Sequence, residues 1–185
     1  YFPAFMQSVF MESSGKSVTI DGKPVSFDTG SVIFGATGTD AQHSFFQLLH
    51  QGTRFVPVDF IGIKQPHFMS DHHPKLLANL IAQSEALAFG RDAKATKAMG
   101  VEDRLVPHKT FPGNRPSNTI ILDKLSPYTL GQLVALYEHK MFVLGAIWNI
   151  NTFDQMGVEL GKSLSKDILE DNGKKHYSST QQLLD

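Results

Sequence analysis

The order of apolar segments near the start of the chain constrains the fold most strongly. Residues 31–35 form a short apolar run that predicts a buried strand. Thr39 and Gln42 then have the spacing of a capping box, which predicts that a helix begins there. Residues 54–63 are rich in Val, Phe and Ile and predict a second strand. A strand, a helix and another strand in succession favour an α/β fold with a parallel sheet flanked by helices.

His43 is the first candidate functional residue, because it falls in the first turn of that predicted helix. Ligands of parallel sheets bind at the carboxyl ends of the strands, where such turns lie. A helix N-terminus favours the neutral imidazole, which can exchange a proton near neutral pH. A capping or core histidine explains the position equally well.

Further elements follow from the same patterns of apolar periodicity and turn residues. The predicted ranges are a hairpin over 17–27, helices over 74–88, 93–99, 127–148 and 178–184, and a third strand over 119–122.

Composition excludes several classes of protein. The 185 residues are 41% hydrophobic and 19% charged, which is typical of one globular domain with a core. A net charge of −1 argues against nucleic acid or a membrane surface as a partner. The absence of cysteine excludes disulfides and thiolate metal sites and permits a reducing compartment. The adjacent His72 and His73 point to different sides of a helix, which makes a metal site there improbable.

The segment after Thr152 combines polar and apolar spacing. Thr152 and Gln155 have capping-box spacing, so a helix is predicted to begin there. Gln155, Glu159 and Lys162 share one face of that helix. A solvated Glu–Lys pair would explain this spacing as well. The predicted buried stripe contains Met156, Leu160, Leu164 and Ile168.

Two glycines in the same segment favour the functional interpretation. Gly157 and Gly161 each cost up to about 1 kcal/mol against alanine inside a helix. Such a cost predicts that another group packs closely against this backbone.

Glu12 is the candidate base. It follows Met11 and precedes small residues at the end of an apolar segment, and a carboxylate in apolar surroundings suits general-base chemistry. A glutamate at a helix end before a turn is the alternative. The nearby Gly15-Lys16-Ser17 is not a phosphate loop, because Phe10 occupies the position where that motif requires glycine.

These candidates lie in motifs that, over essentially all 185 residues, resemble the phosphoglucose isomerase family. The most specific is Phe-Asp-Gln-Met-Gly-Val-Glu-Leu-Gly-Lys, which resembles the family's C-terminal signature. The matching segments, in the family's order, are residues 11–16, 38–45, 50–53, 113–116, 137–140, 145–148 and 153–162.

The resemblance implies a sugar-isomerase (SIS) type of parallel sheet and the C-terminal third of a longer protein. Residues 1–151 would form part of the SIS-type domain and residues 152–185 a helical arm. The apolar start of the chain, which has no initiator Met, also predicts a segment from inside a larger protein. The implied enzyme is a cytoplasmic homodimer that interconverts glucose 6-phosphate and fructose 6-phosphate in glycolysis and gluconeogenesis, without a cofactor or a metal.

The resemblance also implies a role for each candidate residue. Glu12 would move the proton between C2 and C1, and His43, supplied by the partner subunit, would assist ring opening. Lys162 would act at the same stage and place positive charge near the ring oxygen. Gln155 would bind the phosphate end of the substrate.

Some positions depart from the family pattern. Ser8 replaces a common glutamine, and Met156 replaces a common tryptophan. Asp40 and Ala41 replace Asn-Gly, and the added methyl group is predicted to narrow the approach to a sugar.

The family's phosphate loop and its enediolate-stabilising arginine have no counterpart here, so the chain is predicted to be inactive alone. A non-catalytic sugar-phosphate-binding module and a fragment that only assembles dimers are the alternative functions.

Overall fold

The chain forms two compact units in a computed structural model that describes residues 1–170 and 176–184. Unit 1 contains residues 1–33 and the described part of 140–185, and unit 2 contains residues 34–139. The domain boundary expected at residue 152 stays a prediction. The helices in the described residues are α1 (Phe2–Gln7), α2 (Gly38–Gln42), α3 (Phe46–Gln51), α4 (His72–Phe89), α5 (Ala93–Ala98), α6 (Pro127–Trp148), α7 (Glu159–Leu169) and α8 (Ser178–Leu184), and the strands are β1 (Val58–Gln65) and β2 (Ser117–Lys124).

The sheet of unit 2 confirms the predicted parallel α/β arrangement. β1 and β2 run parallel, with Val58 opposite Ser117 and Gln65 opposite Lys124. The connection between the strands includes α4 and α5, as the return path of a parallel pair requires. β1 begins and ends a few residues later than predicted, and β2 extends beyond its predicted range at both ends, which is the usual uncertainty at the ends of elements.

The strand predicted over residues 31–35 is absent. In the described part of the chain, the sheet has only β1 and β2, and residues 31–35 have no ladder partner. Val32 is 78% exposed. An apolar run becomes a strand only when a neighbouring strand accepts its backbone hydrogen bonds, so composition alone was insufficient here.

The core of unit 2 lies where α2, α3 and α4 meet. Its buried residues are Ala41, Phe46, Leu49 and Leu87, and Phe45, Val56, Val58 and Phe60 pack against them. The rings of Phe46 and Phe60 meet edge to face with centroids 6.4 Å apart, a favoured arrangement of aromatic pairs. This packing connects β1 to the helices that precede it.

Gly62 allows α4 to approach the sheet. A Cβ at this position would lie 2.9 Å from a methyl carbon of Leu80 on α4 and 2.9 Å from one of Ile121 on β2. Both methyl groups would therefore have to move if Gly62 carried a side chain.

A polar network joins the sheet to α6. Asp59 on β1 accepts hydrogen bonds from Tyr137 Oη at 2.9 Å and from Asn118 Nδ2 at 2.8 Å. Tyr137 is only 8% exposed. Burial, the hydrogen bond to Asp59 and its negative charge together raise the pKa of Tyr137, so the phenol stays protonated as a donor.

The predicted hairpin over 17–27 is reduced to a tight turn in unit 1. A single antiparallel bridge pairs Val18 with Pro24, and Gly22 occupies the left-handed region at φ +74°. Hydrogen bonds from Thr19 N to the Lys23 carbonyl at 2.8 Å and from Val25 N to the Ser17 carbonyl at 3.0 Å flank this bridge, so the pairing covers only the residues next to the turn.

α7 begins later than predicted. The expected cap at Thr152 is wrong, because its hydroxyl donates instead to the carbonyl of Ile150 at 3.4 Å. Phe153 has φ +76°, outside the right-handed helical region, so no helix can pass through it. A single 3₁₀ turn covers 156–158 before α7 starts at Glu159.

The apolar stripe of this segment is not buried as expected. Met156 is 73% exposed, Leu160 69% and Leu164 46%. A Cβ added at Gly157 or Gly161 would have no neighbour within 4 Å, so the close packing predicted from these glycines is also absent from the described residues.

Candidate active site

Glu12 lies at the end of a π-helical turn over Ser8–Glu12, which continues from α1. Buried Met6 and Phe10 anchor the inner side of this segment, and the hydroxyl of buried Ser14 donates to the carbonyl of Phe10 at 2.5 Å. Glu12 itself is exposed. The apolar surroundings expected for it are therefore absent from the described structure.

Lys16 joins the end of this segment to the segment before α7. Its Nζ donates to the carbonyl of Ser13 at 2.7 Å and to the carbonyl of Asp154 at 2.7 Å. The carboxylate of Asp154 lies 3.5 Å from the same nitrogen and also accepts a hydrogen bond from Asn151. The carbonyl of Ser13 also accepts from Phe153 N at 3.3 Å.

A cleft of about 150 Å³ lies where these two segments meet. Two of the predicted site residues line it, Glu12 and Gln155. Because they are far apart in sequence, only the folding of unit 1 brings them together. The full lining is Met11, Glu12, Gly15, Lys16, Asp154, Gln155, Gly157 and Val158.

Gln155 and Lys162 do not share a helical face, contrary to prediction. Gln155 precedes the 3₁₀ turn, with φ −132° and ψ 33°, and so it is not part of α7. The Glu159–Lys162 pair that the sequence offered as the alternative explanation is present, with Lys162 Nζ 2.9 Å from Glu159 Oε1. Both side chains are 67% exposed, and Lys162 is not among the residues that line the cleft.

His43 belongs to unit 2, where it ends α2 rather than beginning it. α2 starts at Gly38 with Thr37 as its N-cap, two residues before the predicted start. The backbone N–H of His43 donates to the carbonyl of Asp40 at 3.2 Å, and the ring is exposed. The argument from a helix N-terminus therefore does not apply to His43.

The two substituted positions before His43 have structural roles in unit 2. The hydroxyl of Thr37 donates to the carboxylate of Asp40. Ala41 is 3% exposed and belongs to the core cluster, so its methyl group faces the interior. The expectation that Ala41 narrows an approach to ligand is wrong.

A second cavity, of about 360 Å³, lies within unit 2. The guanidinium carbon of Arg91 lies 5.3 Å from the centre of the Phe111 ring, and His50 Nε2 donates to Gln83 Oε1 at 2.9 Å. None of the predicted site residues lines this cavity, whose lining is His50, Gln83, Ala86, Gly90, Arg91 and Phe111.

Sequence analysis missed Lys16 and Asp154 as parts of the cleft. Gly15-Lys16-Ser17 drew attention only as a possible phosphate loop. The contact from Lys16 to Asp154 spans 138 residues, which no local spacing can reveal. Within the described residues, no three histidine or carboxylate side chains group as a metal ion would require, and no helix is long and apolar enough to span a membrane.

Comparison with known families decides what the motifs signify. A sequence model of the phosphoglucose isomerase family matches residues 1–184. The chain belongs to the phosphoglucose isomerase family. Its match extends through both units and includes Glu12, His43, Gln155 and Lys162.

Curated members of the phosphoglucose isomerase family are similar to the chain at high identity. The glucose-6-phosphate isomerase of Frankia casuarinae is 52% identical over 99% of this chain and 36% of the relative. That of Roseiflexus sp. (strain RS-1) is 57% identical over 91% of this chain and 31% of the relative. The chain thus spans about a third of the length of the curated relatives it matches.

Solved structures agree with the assignment to the phosphoglucose isomerase family. A crystal structure of a glucose-6-phosphate isomerase from Chlamydia trachomatis matches with a TM-score of 0.83 and 43% identity, over 100% of this chain and 34% of that one. A hypothetical protein from Thermus thermophilus matches with a TM-score of 0.66 at 23% identity, over 91% of this chain and 38% of that one, which shows a shared fold alone.

Proposed function

We propose that the longer protein containing this chain interconverts glucose 6-phosphate and fructose 6-phosphate through an enediol. The cleft of unit 1 is the observation that supports this most directly, because Glu12 and Gln155 line it together. The family match over 1–184 supports it independently. The relatives named glucose-6-phosphate isomerase support glucose 6-phosphate as one of the two sugars.

Glu12 is the base in this proposal. It removes the proton from C2 of the open-chain aldose, which leaves an enediolate with its negative charge on O1. A proton then passes from the C2 hydroxyl to O1, and Glu12 returns its proton to C1 to give the ketose. A carboxylate suits both steps because it can accept and release the proton from one place. Its exposed position at the end of the π-helical turn leaves it accessible from the cleft.

The other three residues assist this proton transfer. His43 exchanges a proton with the ring oxygen or the C1 hydroxyl during ring opening, and Lys162 places positive charge at the same stage. Gln155 donates from its amide to the phosphate end of the substrate. The reaction requires no cofactor or metal, because a side chain can carry out each proton transfer.

The chain is the C-terminal third of the enzyme in this proposal. Its cleft of about 150 Å³ is smaller than the roughly 300–1,000 Å³ of complete small-ligand pockets. The rest of the protein supplies the phosphate loop and the arginine that stabilises the enediolate. The enzyme is a cytoplasmic homodimer of glycolysis and gluconeogenesis, and His43 acts in the site of the partner subunit.

Glu12→Gln in the full-length protein tests the proposal. We expect kcat to fall by about 100- to 10,000-fold, because general-base catalysis contributes that much, while KM changes little. A coupled assay of fructose 6-phosphate turnover measures both constants. Glu102→Gln is the matched control, because Glu102 is exposed and pairs only locally, with Arg104 at 2.8 Å.

Three outcomes separate the alternatives. A similar loss in kcat and substrate binding on Glu12→Gln would assign that residue a structural role. A wild-type protein that binds sugar phosphate in calorimetry but does not turn it over would be a binding module. A protein that does neither would serve only for assembly.

A further inference from the structure

Lys16 makes the contacts that fix the geometry of the cleft in unit 1. It lies four residues after Glu12, and its side chain reaches the residue immediately before Gln155. The ammonium group contacts the carbonyls of Ser13 and Asp154, each at 2.7 Å, and the Asp154 carboxylate at 3.5 Å. We propose that Lys16 is a positioning residue for the reaction, one that sets the separation between the Glu12 carboxylate and the Gln155 amide. This inference rests on the proposed function.

The contact between Lys16 and Asp154 is largely buried, which distinguishes it from a surface ion pair. The side chain of Lys16 is 16% exposed and that of Asp154 27%, whereas Lys162 and Glu159 are both 67% exposed. Hydrogen bonds from a cation are roughly twice as strong as neutral ones. Three acceptors surround the ammonium group and hold the Lys16 side chain in one position. These contacts oppose the rotamer entropy that a long lysine side chain loses when it is held.

The surrounding backbone hydrogen bonds fix both ends of the bridge. The Lys16 carbonyl accepts from the hydroxyl of Thr29, and its N–H donates to the carbonyl of Ser14 at 2.8 Å. On the other side, the amide of Asn151 donates a hydrogen bond to the Asp154 carboxylate. Phe153 has φ +76°, a strained conformation for a side chain of this size, and its N–H donates to Ser13. Strain in this loop persists only where neighbouring contacts hold it.

Loss of the ammonium therefore has a defined consequence. The carbonyl of Ser13 on one segment, and the carbonyl and carboxylate of Asp154 on the other, would no longer have a cation between them. The segment before α7 would relax away from the end of the π-helical turn, and Gln155 would move relative to Glu12. A misplacement of about 1 Å can lower a rate by about 100-fold.

The test replaces Lys16 in the full-length enzyme and measures kcat and KM. We expect Lys16→Met to lower kcat by about 10- to 100-fold and to raise KM by about 2- to 10-fold, because the bridge orients both the base and the phosphate-binding amide. Lys16→Arg should recover most of the rate, since a guanidinium can donate to two carbonyl groups. Lys23→Met is the matched control, because Lys23 is exposed on the turn of the same unit.

A structural role predicts a different result. It would lower the folded fraction, measured by circular dichroism at the assay temperature, while kcat per folded molecule and KM stayed within about twofold of wild type. That result would overturn the inference. If Lys16→Met fails to fold, Asp154→Asn replaces it, because this variant keeps the Asp154 carbonyl contact and weakens the ion pair with Lys16, along with the hydrogen bond from Asn151. Unchanged kcat and KM in Asp154→Asn would then overturn the inference.

The same assay separates this inference from the proposed function. A wild-type enzyme without isomerase turnover would overturn the proposed function and the role of Lys16 together. An active wild type with a fully active Lys16→Met variant would overturn the role of Lys16 alone.

Discussion

At the scale of single residues, Tyr137 shows how a buried polar group connects secondary structure elements. Its hydroxyl donates to Asp59, which also accepts from Asn118 on the neighbouring strand. Removal of the Tyr137 hydroxyl would take one donor away from the Asp59 carboxylate. Hydrogen bonds to charged groups contribute about 1.5–3 kcal/mol to the free energy of unfolding. The periodicity that predicts a helix over 127–148 does not reveal this polar role of Tyr137.

Tyr137→Phe should lower the free energy of unfolding by about 1–3 kcal/mol at about pH 7. Because folding raises the pKa of Tyr137, its contribution is present below the unfolded-state value of about 10 and is lost as pH rises toward the folded-state value. The difference between wild type and variant should therefore narrow above about pH 10. Urea unfolding of wild type and variant at about pH 7 and above about pH 10 measures this difference in unfolding free energy. Tyr128→Phe is the control, because Tyr128 is exposed. A difference that widens with pH would contradict the assignment.

At the scale of elements, the end of α4 depends on a glycine that no side chain can replace. Gly90 has φ 62° and ψ −152°, a region that is nearly exclusive to glycine. A Cβ there would lie 2.2 Å from the carbonyl oxygen of Phe111 and 2.5 Å from the nitrogen of Gly113. Arg91 and Phe111 exchange two backbone hydrogen bonds of 2.9 Å beside it, so this segment cannot move away freely.

Gly90→Ala should therefore destabilise the protein by about 3 kcal/mol or more, since both strain and a backbone clash oppose it. Gly100→Ala is the matched control, because Gly100 also has positive φ, at 76°, but has no atom within 4 Å of its Cβ position. Strain alone should cost about 1–2 kcal/mol there. Thermal unfolding of both variants measures the difference. Equal losses would mean that the contact with Phe111 contributes nothing.

At the scale of the whole molecule, we propose that the chain supplies only part of a complete active site. It spans about a third of its relatives, and the cleft of unit 1 is small for a sugar phosphate. We expect the purified 185-residue chain to show no significant turnover of fructose 6-phosphate, in contrast to the full-length protein. Turnover by the chain that disappears on Glu12→Gln would contradict this expectation.

The proposed sharing of sites between subunits can be tested by mixing two inactive variants of the full-length protein. If His43 acts in the partner's site, a heterodimer of Glu12→Gln and His43→Ala subunits contains one site with neither change. Activity should then return on mixing to about a quarter of the wild-type value, since roughly half of the dimers are mixed and each has one intact site. If both residues act within one subunit, every site carries a change and no activity returns.

Several features of the fold could be predicted from the sequence, because they depend on local patterns. Apolar periodicity located α4 and α6, and β-rich runs located both strands of the parallel sheet. Local spacing also allowed, as the alternative to a functional face, an ion pair between Glu159 and Lys162, which is present at 2.9 Å. The motifs around Glu12 and His43 resembled the phosphoglucose isomerase family, and the match over 1–184 confirms membership.

Tertiary structure decided the features that depend on distant partners. Residues 31–35 form no strand, because no described neighbour pairs with them, and Phe153 at φ +76° delays the start of α7. The cleft with Glu12 and Gln155 forms where two distant segments meet, and the contact from Lys16 to Asp154 joins them across 138 residues. Periodicity reports which side of an element faces apolar surroundings, but contacts between distant segments follow from packing and from the pairing of buried polar groups.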